Sequence, residues 1–100
     1  MDTGDLSEEA YRAIMIEAEL FNHNLTLRFG LLSYKCKDEN DFIEKSILLI
    51  HNIRKYNEWM LEDMFFGEPC DKDQLYDTLD RILANIEKVK NIPFEKRTLD

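Results

Sequence analysis

The fold is decided by residues 7–34, which read SEEAYRAIMIEAELFNHNLTLRFGLLSY. Ser7 is a favoured helix N-cap, and the two glutamates after it lie where the positive end of a helix dipole stabilises carboxylates. Apolar residues then recur at intervals of three and four along the stretch, which is the spacing of an amphipathic helix. The pattern therefore predicts one long helix over residues 7–34.

Two apolar stripes run along this predicted helix. The first consists of Tyr11, Ile14, Ala18, Phe21, Leu25, Phe29 and Leu32. The second consists of Ala13, Ile16, Leu20, Leu27, Leu31 and Tyr34. Their centres lie more than a quarter-turn apart, and a helix that is apolar on two sides is usually buried on two sides. Two other helices of the chain can cover one broad face, so the second stripe is left for another chain. The alternative is a deeper position in a wider bundle, with the C-terminal tail folded over the helix.

Two more helices are predicted after a polar loop. The second helix covers residues 39–66, because Gly67 and Pro69 form a strong termination signal. The third helix covers residues 72–90, with Asp71 as its N-cap.

Short connections between long helices favour antiparallel neighbours. The sequence therefore predicts an all-α fold in which residues 1–91 form three long antiparallel helices in an up-down bundle. Dimerisation would complete this bundle by covering the second stripe. Residues 92–100 form a tail for which the pattern predicts no position.

The charge of the chain narrows the choice of partners. The net charge is −8 and the isoelectric point is about 4.7. Nucleic-acid binding relies on Lys and Arg side chains that neutralise phosphates. Three short basic clusters occur, namely Lys35 with Lys37, Arg54 with Lys55, and Lys88 with Lys90. The first and the third fall at predicted helix C-termini, where positive charge compensates the helix dipole. We therefore expect no nucleic-acid partner, whereas an acidic surface suits a basic protein.

Membrane and secretion signals are absent from the sequence pattern. No apolar run approaches the roughly 18 residues that a membrane-spanning helix needs. The acidic N-terminus lacks the basic-then-apolar order of a signal peptide, and two cysteines, Cys36 and Cys70, do not form a disulfide framework. We expect a cytoplasmic protein without a membrane partner.

No catalytic, cofactor-binding or metal site is predicted. Glu19 and His23 share a helix face, but a carboxylate-bridged dimetal site needs Glu-x-x-His repeats from several helices. Glu17 and Glu19 on the first predicted helix, with Glu58, Glu62 and Asp63 on the second, are similar in kind to the acidic residues of all-α nucleotide pyrophosphohydrolases. Among these residues, the Glu-x-x-Glu and Glu-x-x-Asp spacings that hold Mg²⁺ in those enzymes do not occur.

We therefore predict a non-enzymatic helical interaction module that forms a homodimer around the second stripe. The candidate interface residues are Ile16, Leu20, His23, Asn24, Leu27, Leu31, Trp59 and Phe66. Trp59 and Phe66 have no neighbour to bury them in a three-helix monomer and would close one edge of the contact. His23 and Asn24 would form hydrogen bonds across the interface and set its register.

Two other functions stay open at this point. The first is an acidic neutralising binder of a basic protein, of the immunity-protein or antitoxin kind, because charge complementarity accelerates such encounters. The second is a metal-dependent all-α hydrolase, which would require Glu17, Glu19, Glu58 and Glu62 to converge in a pocket.

Overall fold

The predicted all-α class is confirmed, but the helices are more numerous and shorter than the sequence pattern indicates. The computed structural model describes residues 1–68 and 70–98, so Pro69 and the last two residues of the predicted tail lie outside it. Helix, with the 3₁₀ turns included, accounts for 76% of the described residues, and no strand forms among them.

Five helices form among the described residues. The first, α1, is uninterrupted and has three parts, namely Glu8–Ala10, a π-helical part over Tyr11–Ile16, and Glu17–Phe21. The others are α2 over His23–Tyr34, α3 over Glu39–Arg54, α4 over Glu58–Met64 and α5 over Lys72–Lys90. Short 3₁₀ turns lie at Thr3–Asp5 and Phe94–Lys96.

Asn22 divides the first predicted helix. Its backbone is extended, with φ −166° and ψ 168°, and its side-chain Oδ1 accepts a hydrogen bond from the Leu25 N–H at 2.8 Å. Asn side chains compete with the helical backbone in this way, and Asn is a favoured N-cap. Helix α2 then folds back on α1. The close packing of the two helices is seen at Gly30, where the Met15 Cε lies 3.9 Å from the position that a Cβ would occupy. The single helix predicted over residues 7–34 is therefore a helical hairpin.

Asn57 divides the second predicted helix for the same reason. Helix α3 ends at Arg54, and Lys55 is its C-cap. Asn57 is the N-cap of α4, because its Oδ1 accepts a hydrogen bond from the Met60 N–H at 2.9 Å. The helix predicted over residues 39–66 is thus two helices. Helix α5 coincides with the predicted range of residues 72–90, and Asp71 caps it through the N–H groups of Asp73 and Gln74.

Four of the helices close around one core. Helix α1 packs against α2 and α5, and α3 packs against the same two helices. The centre of this core is formed by Ile14, Leu25, Phe29, Phe42, Ile50, Ile53, Leu75, Leu79, Ile82 and Ile86. The core is therefore enclosed by four helices rather than by the three that the sequence predicts, because the turn at Asn22 supplies an additional helix.

The C-terminal tail, as far as Thr98, is bound to the start of α1, and Leu20, Leu27 and Leu31 of the second stripe remain exposed. The Glu8 N–H donates to the Thr98 carbonyl at 2.7 Å, and the Thr98 N–H and hydroxyl both donate to the Glu9 carboxylate at 2.9 Å. Beside this contact, Arg97 Nη1 donates to Glu39 Oε2 at 2.7 Å, and Glu39 Oε1 accepts from the Ser7 N–H at 2.6 Å. A single carboxylate thus links the tail, the start of α1 and the start of α3.

The Arg97–Glu39 ion pair is deeply buried, with 5% and 2% of the two side chains exposed. We expect Arg97→Met to lower the free energy of unfolding by about 3–5 kcal/mol, because it leaves the Glu39 carboxylate buried without its cation. Urea unfolding followed by circular dichroism measures this loss. The double variant Glu39→Gln, Arg97→Met removes both charges, keeps an acceptor for Ser7 and should recover most of the stability. A single-variant loss within experimental error of zero would contradict the buried pair.

Acid should release the tail at Thr98. The hydrogen bond from the Thr98 backbone N–H is the largest of the effects that hold the pKa of Glu9 below its ordinary value of 4.5. A carboxyl with a lowered folded-state pKa stabilises the fold above the unfolded pKa and loses this contribution as the pH falls through the folded pKa. The Thr98 amide chemical shift should therefore titrate with a midpoint below 4.5, and this transition should vanish in Glu9→Gln but persist in Glu95→Gln. A midpoint at or above the ordinary value would count against the contact.

Candidate interaction surfaces

One face of α2 exposes apolar side chains, which we call the α2 stripe: Leu27, Leu31 and Tyr34. Their spacing of four and three residues places them on one side of the helix. Leu25 and Phe29 are fully buried on the opposite side. Helix α2 is therefore apolar on two opposite faces, and only one of them meets the core.

The predicted interface residues are divided among several places. Leu20, Leu27 and Leu31 are exposed, as is His23 in the first turn of α2, whereas Ile16 is half-buried in α1. The Asn24 amide donates to the Phe65 carbonyl at 3.3 Å and to Glu68 Oε2 at 3.5 Å. Asn24 thus forms hydrogen bonds to the end of α4 within its own chain, and its role in setting a dimer register stays a prediction.

A second apolar surface, the α4 surface, is formed by Trp59, Met60 and Phe66. Trp59 is 71% exposed and Phe66 is 79% exposed, although the intervening Leu61, Met64 and Phe65 are buried. Phe65 packs on Phe21 with 5.9 Å between the ring centroids. The candidate interface predicted from the sequence includes Trp59 and Phe66 but not Met60. The N-cap at Asn57 shifts the phase of α4 and is the signal that would have placed Met60 correctly.

Phe66 adopts an unusual backbone conformation, with φ at 56°. The Phe66 N–H donates to the Asp63 carbonyl at 3.1 Å, and the Gly67 N–H donates to the Glu62 carbonyl at 2.8 Å. These are the two bonds of a Schellman motif, in which the left-handed residue is usually glycine. Here Phe66 occupies that position and Gly67 follows it, so the chain bears about 1–2 kcal/mol of strain at an exposed aromatic residue.

Carboxylates surround the α4 surface. Glu58, Glu62, Asp63 and Glu68 are all exposed. Three of them, Glu58, Glu62 and Glu68, line a pocket of about 420 Å³ together with Leu61, Gly67, Cys70 and Lys72, which we call the acidic pocket. The Lys72 Nζ lies 3.7 Å from Glu58 Oε1. The lining of the pocket thus contains one cationic side chain and three carboxylates.

A larger groove, of about 1030 Å³, lies between the π-helical part of α1 and the C-terminal half of α5. π-Helical turns often occur at functional sites. The carboxylates of the groove already have partners within the chain, since Glu8 pairs with Arg12 at 2.6 Å, Glu17 pairs with Arg81 at 3.1 Å, and Glu9 binds Thr98. The groove therefore offers a largely apolar surface whose carboxylates already have partners within the chain.

Other chemically capable side chains are dispersed. No group of three potential metal ligands occurs in the ranges that the structure describes. Both cysteines are free thiols, and burial raises the pKa of Cys36 and of Cys70, which lowers the fraction of reactive thiolate.

Comparison of the chain with known proteins identifies no similar protein. Within the described residues, no helix is both long enough and apolar enough to cross a membrane. No protein-family model matches the chain, and no curated protein or solved structure is significantly similar to it.

Proposed function

We propose that this protein is a non-enzymatic helical interaction module that self-associates through the α2 stripe. The observation that supports this proposal is the exposure of Leu27, Leu31 and Tyr34 directly opposite the buried face of α2. Burying a large apolar side chain fully stabilises an association by about 1.5–3 kcal/mol relative to leaving it in water. A two-fold axis pairs the same patch with itself, so each side chain is buried in both copies.

The charge of α2 favours a second copy over other occupants of this stripe. Residues 23–34 contain no Asp or Glu, and Arg28 is the one Lys or Arg among them. In a chain with a net charge of −8, this helix is the surface on which two copies meet with the least repulsion. Interface centres are generally depleted in charged residues. A basic partner would gain little electrostatic energy here.

Association through so few side chains is expected to be moderate, because forming a complex costs several kcal/mol of translational and rotational freedom. Sedimentation velocity at increasing protein concentration should show reversible dimers. Leu31→Glu should shift the protein to monomers without loss of helix content, because Leu31 is already 61% exposed and contributes little to the core.

Leu48 provides a matched control, since it is also 61% exposed but lies on α3. Leu48→Glu introduces the same charge at the same exposure and should leave the dimer intact. A wild-type protein that stays monomeric at the highest concentration would refute self-association. Equal loss of dimer in both variants would refute the assignment to the α2 stripe.

A further inference from the structure

The α4 surface is an unpartnered aromatic patch whose chemistry differs from that of the α2 stripe. Trp59 and Phe66 are the two most exposed aromatic side chains among the described residues. Trp, Met and Phe are enriched in protein interfaces, and large aromatic side chains often dominate binding energy there. Both residues are held by a rigid base, because Leu61, Met64 and Phe65 are buried.

The position of Phe66 adds to this argument. Glycine at this site of the Schellman motif would remove the strain of the left-handed backbone, and the Phe66 ring gains almost no packing within its own chain. Residues held in unfavourable backbone conformations occur preferentially at binding and catalytic sites. The Phe66 side chain is exposed, and the next two residues of the chain, Gly67 and Glu68, line the acidic pocket.

The charges around the patch indicate the kind of partner. Glu58, Glu62 and Glu68 face Lys72 in the acidic pocket, and Asp63 adds a further carboxylate on α4. Glu62 and Asp63 have no Lys or Arg within ion-pair distance among the described residues. This surface would repel a second copy of the same acidic chain and attract a cationic partner.

We propose that the α4 surface and the acidic pocket bind a cationic segment of another protein. Apolar side chains of the segment pack on Trp59 and Phe66, while a Lys or Arg side chain enters the acidic pocket. Charge-assisted hydrogen bonds from this side chain to Glu62 and Glu68 provide specificity. This site does not depend on self-association, because it lies on a different helix from the α2 stripe.

Trp59 makes the site directly observable, because it is the one tryptophan of the chain. The probe is a phage-displayed library of random peptides, which is selected on the wild-type protein at low salt. Selected peptides are then synthesised and titrated against the protein while the Trp59 fluorescence is recorded. We expect the selected peptides to be enriched in Lys and Arg beside apolar residues. Binding of these peptides should move the Trp59 emission to shorter wavelength, and their affinity for the protein should fall as salt is added.

Two variants test the aromatic and charged parts separately. Phe66→Gly should weaken peptide binding about tenfold or more while raising the thermal unfolding midpoint, since the glycine relieves the backbone strain. Glu62→Gln with Glu68→Gln should also weaken binding about tenfold and reduce its salt dependence. The matched control, Glu87→Gln with Glu95→Gln, removes the same charge at exposed positions elsewhere and should leave the affinity unchanged.

Three results would overturn the proposal. The first is a selection that yields no peptide able to shift the Trp59 emission. The second is selection of acidic or uncharged peptides, or equal binding by the two variants and the control. The third is a Trp59 shift that occurs on raising the protein concentration alone, which would mean that a second copy covers the α4 surface.

Discussion

The reversal of the chain at Asn22 is the constraint on which the rest of the structure depends. Without it, residues 7–34 would form a rod of about 40 Å at 1.5 Å per residue, and the chain would have too few helices to enclose its apolar residues. With it, α1 and α2 lie side by side and close the core with α3 and α5. The reversal also turns Leu27 and Leu31 away from that core. The exposed α2 stripe is therefore a consequence of the fold rather than an isolated surface feature.

The two exposed surfaces differ in the charge that surrounds them. The α2 stripe lies on a helix without carboxylates, so apolar contact with an identical stripe meets little repulsion. The α4 surface lies among carboxylates, and these are the reason that we propose a cationic partner for it. The buried Glu39, which binds both Ser7 and Arg97, holds the opposite termini of the fold together and contributes to neither surface.

Local signals explain which parts of the structure could be predicted from the sequence. Helix α5 has one apolar face and an unambiguous Asp71 cap, so its bounds follow from the pattern. Asn22 and Asn57 were missed because an Asn inside an apolar periodicity can either continue a helix or cap a new one, and tertiary packing decides between them. The Arg97–Glu39 pair joins residues 58 positions apart and leaves no local signal in the sequence. The α4 surface was found only in part, because the cap at Asn57 changes which residues face outward.

The most direct test of this account is an NMR measurement of the contact between Met15 and Gly30. The hairpin brings the Met15 methyl group close to the Gly30 backbone, so a nuclear Overhauser effect between the methyl and α protons should be observed. In a continuous helix the two residues would lie about 22 Å apart, which is too far for any such effect. Observation of the cross-peak supports the reversal at Asn22. Its absence, together with helical contacts that continue from Phe21 to Leu25, would contradict it.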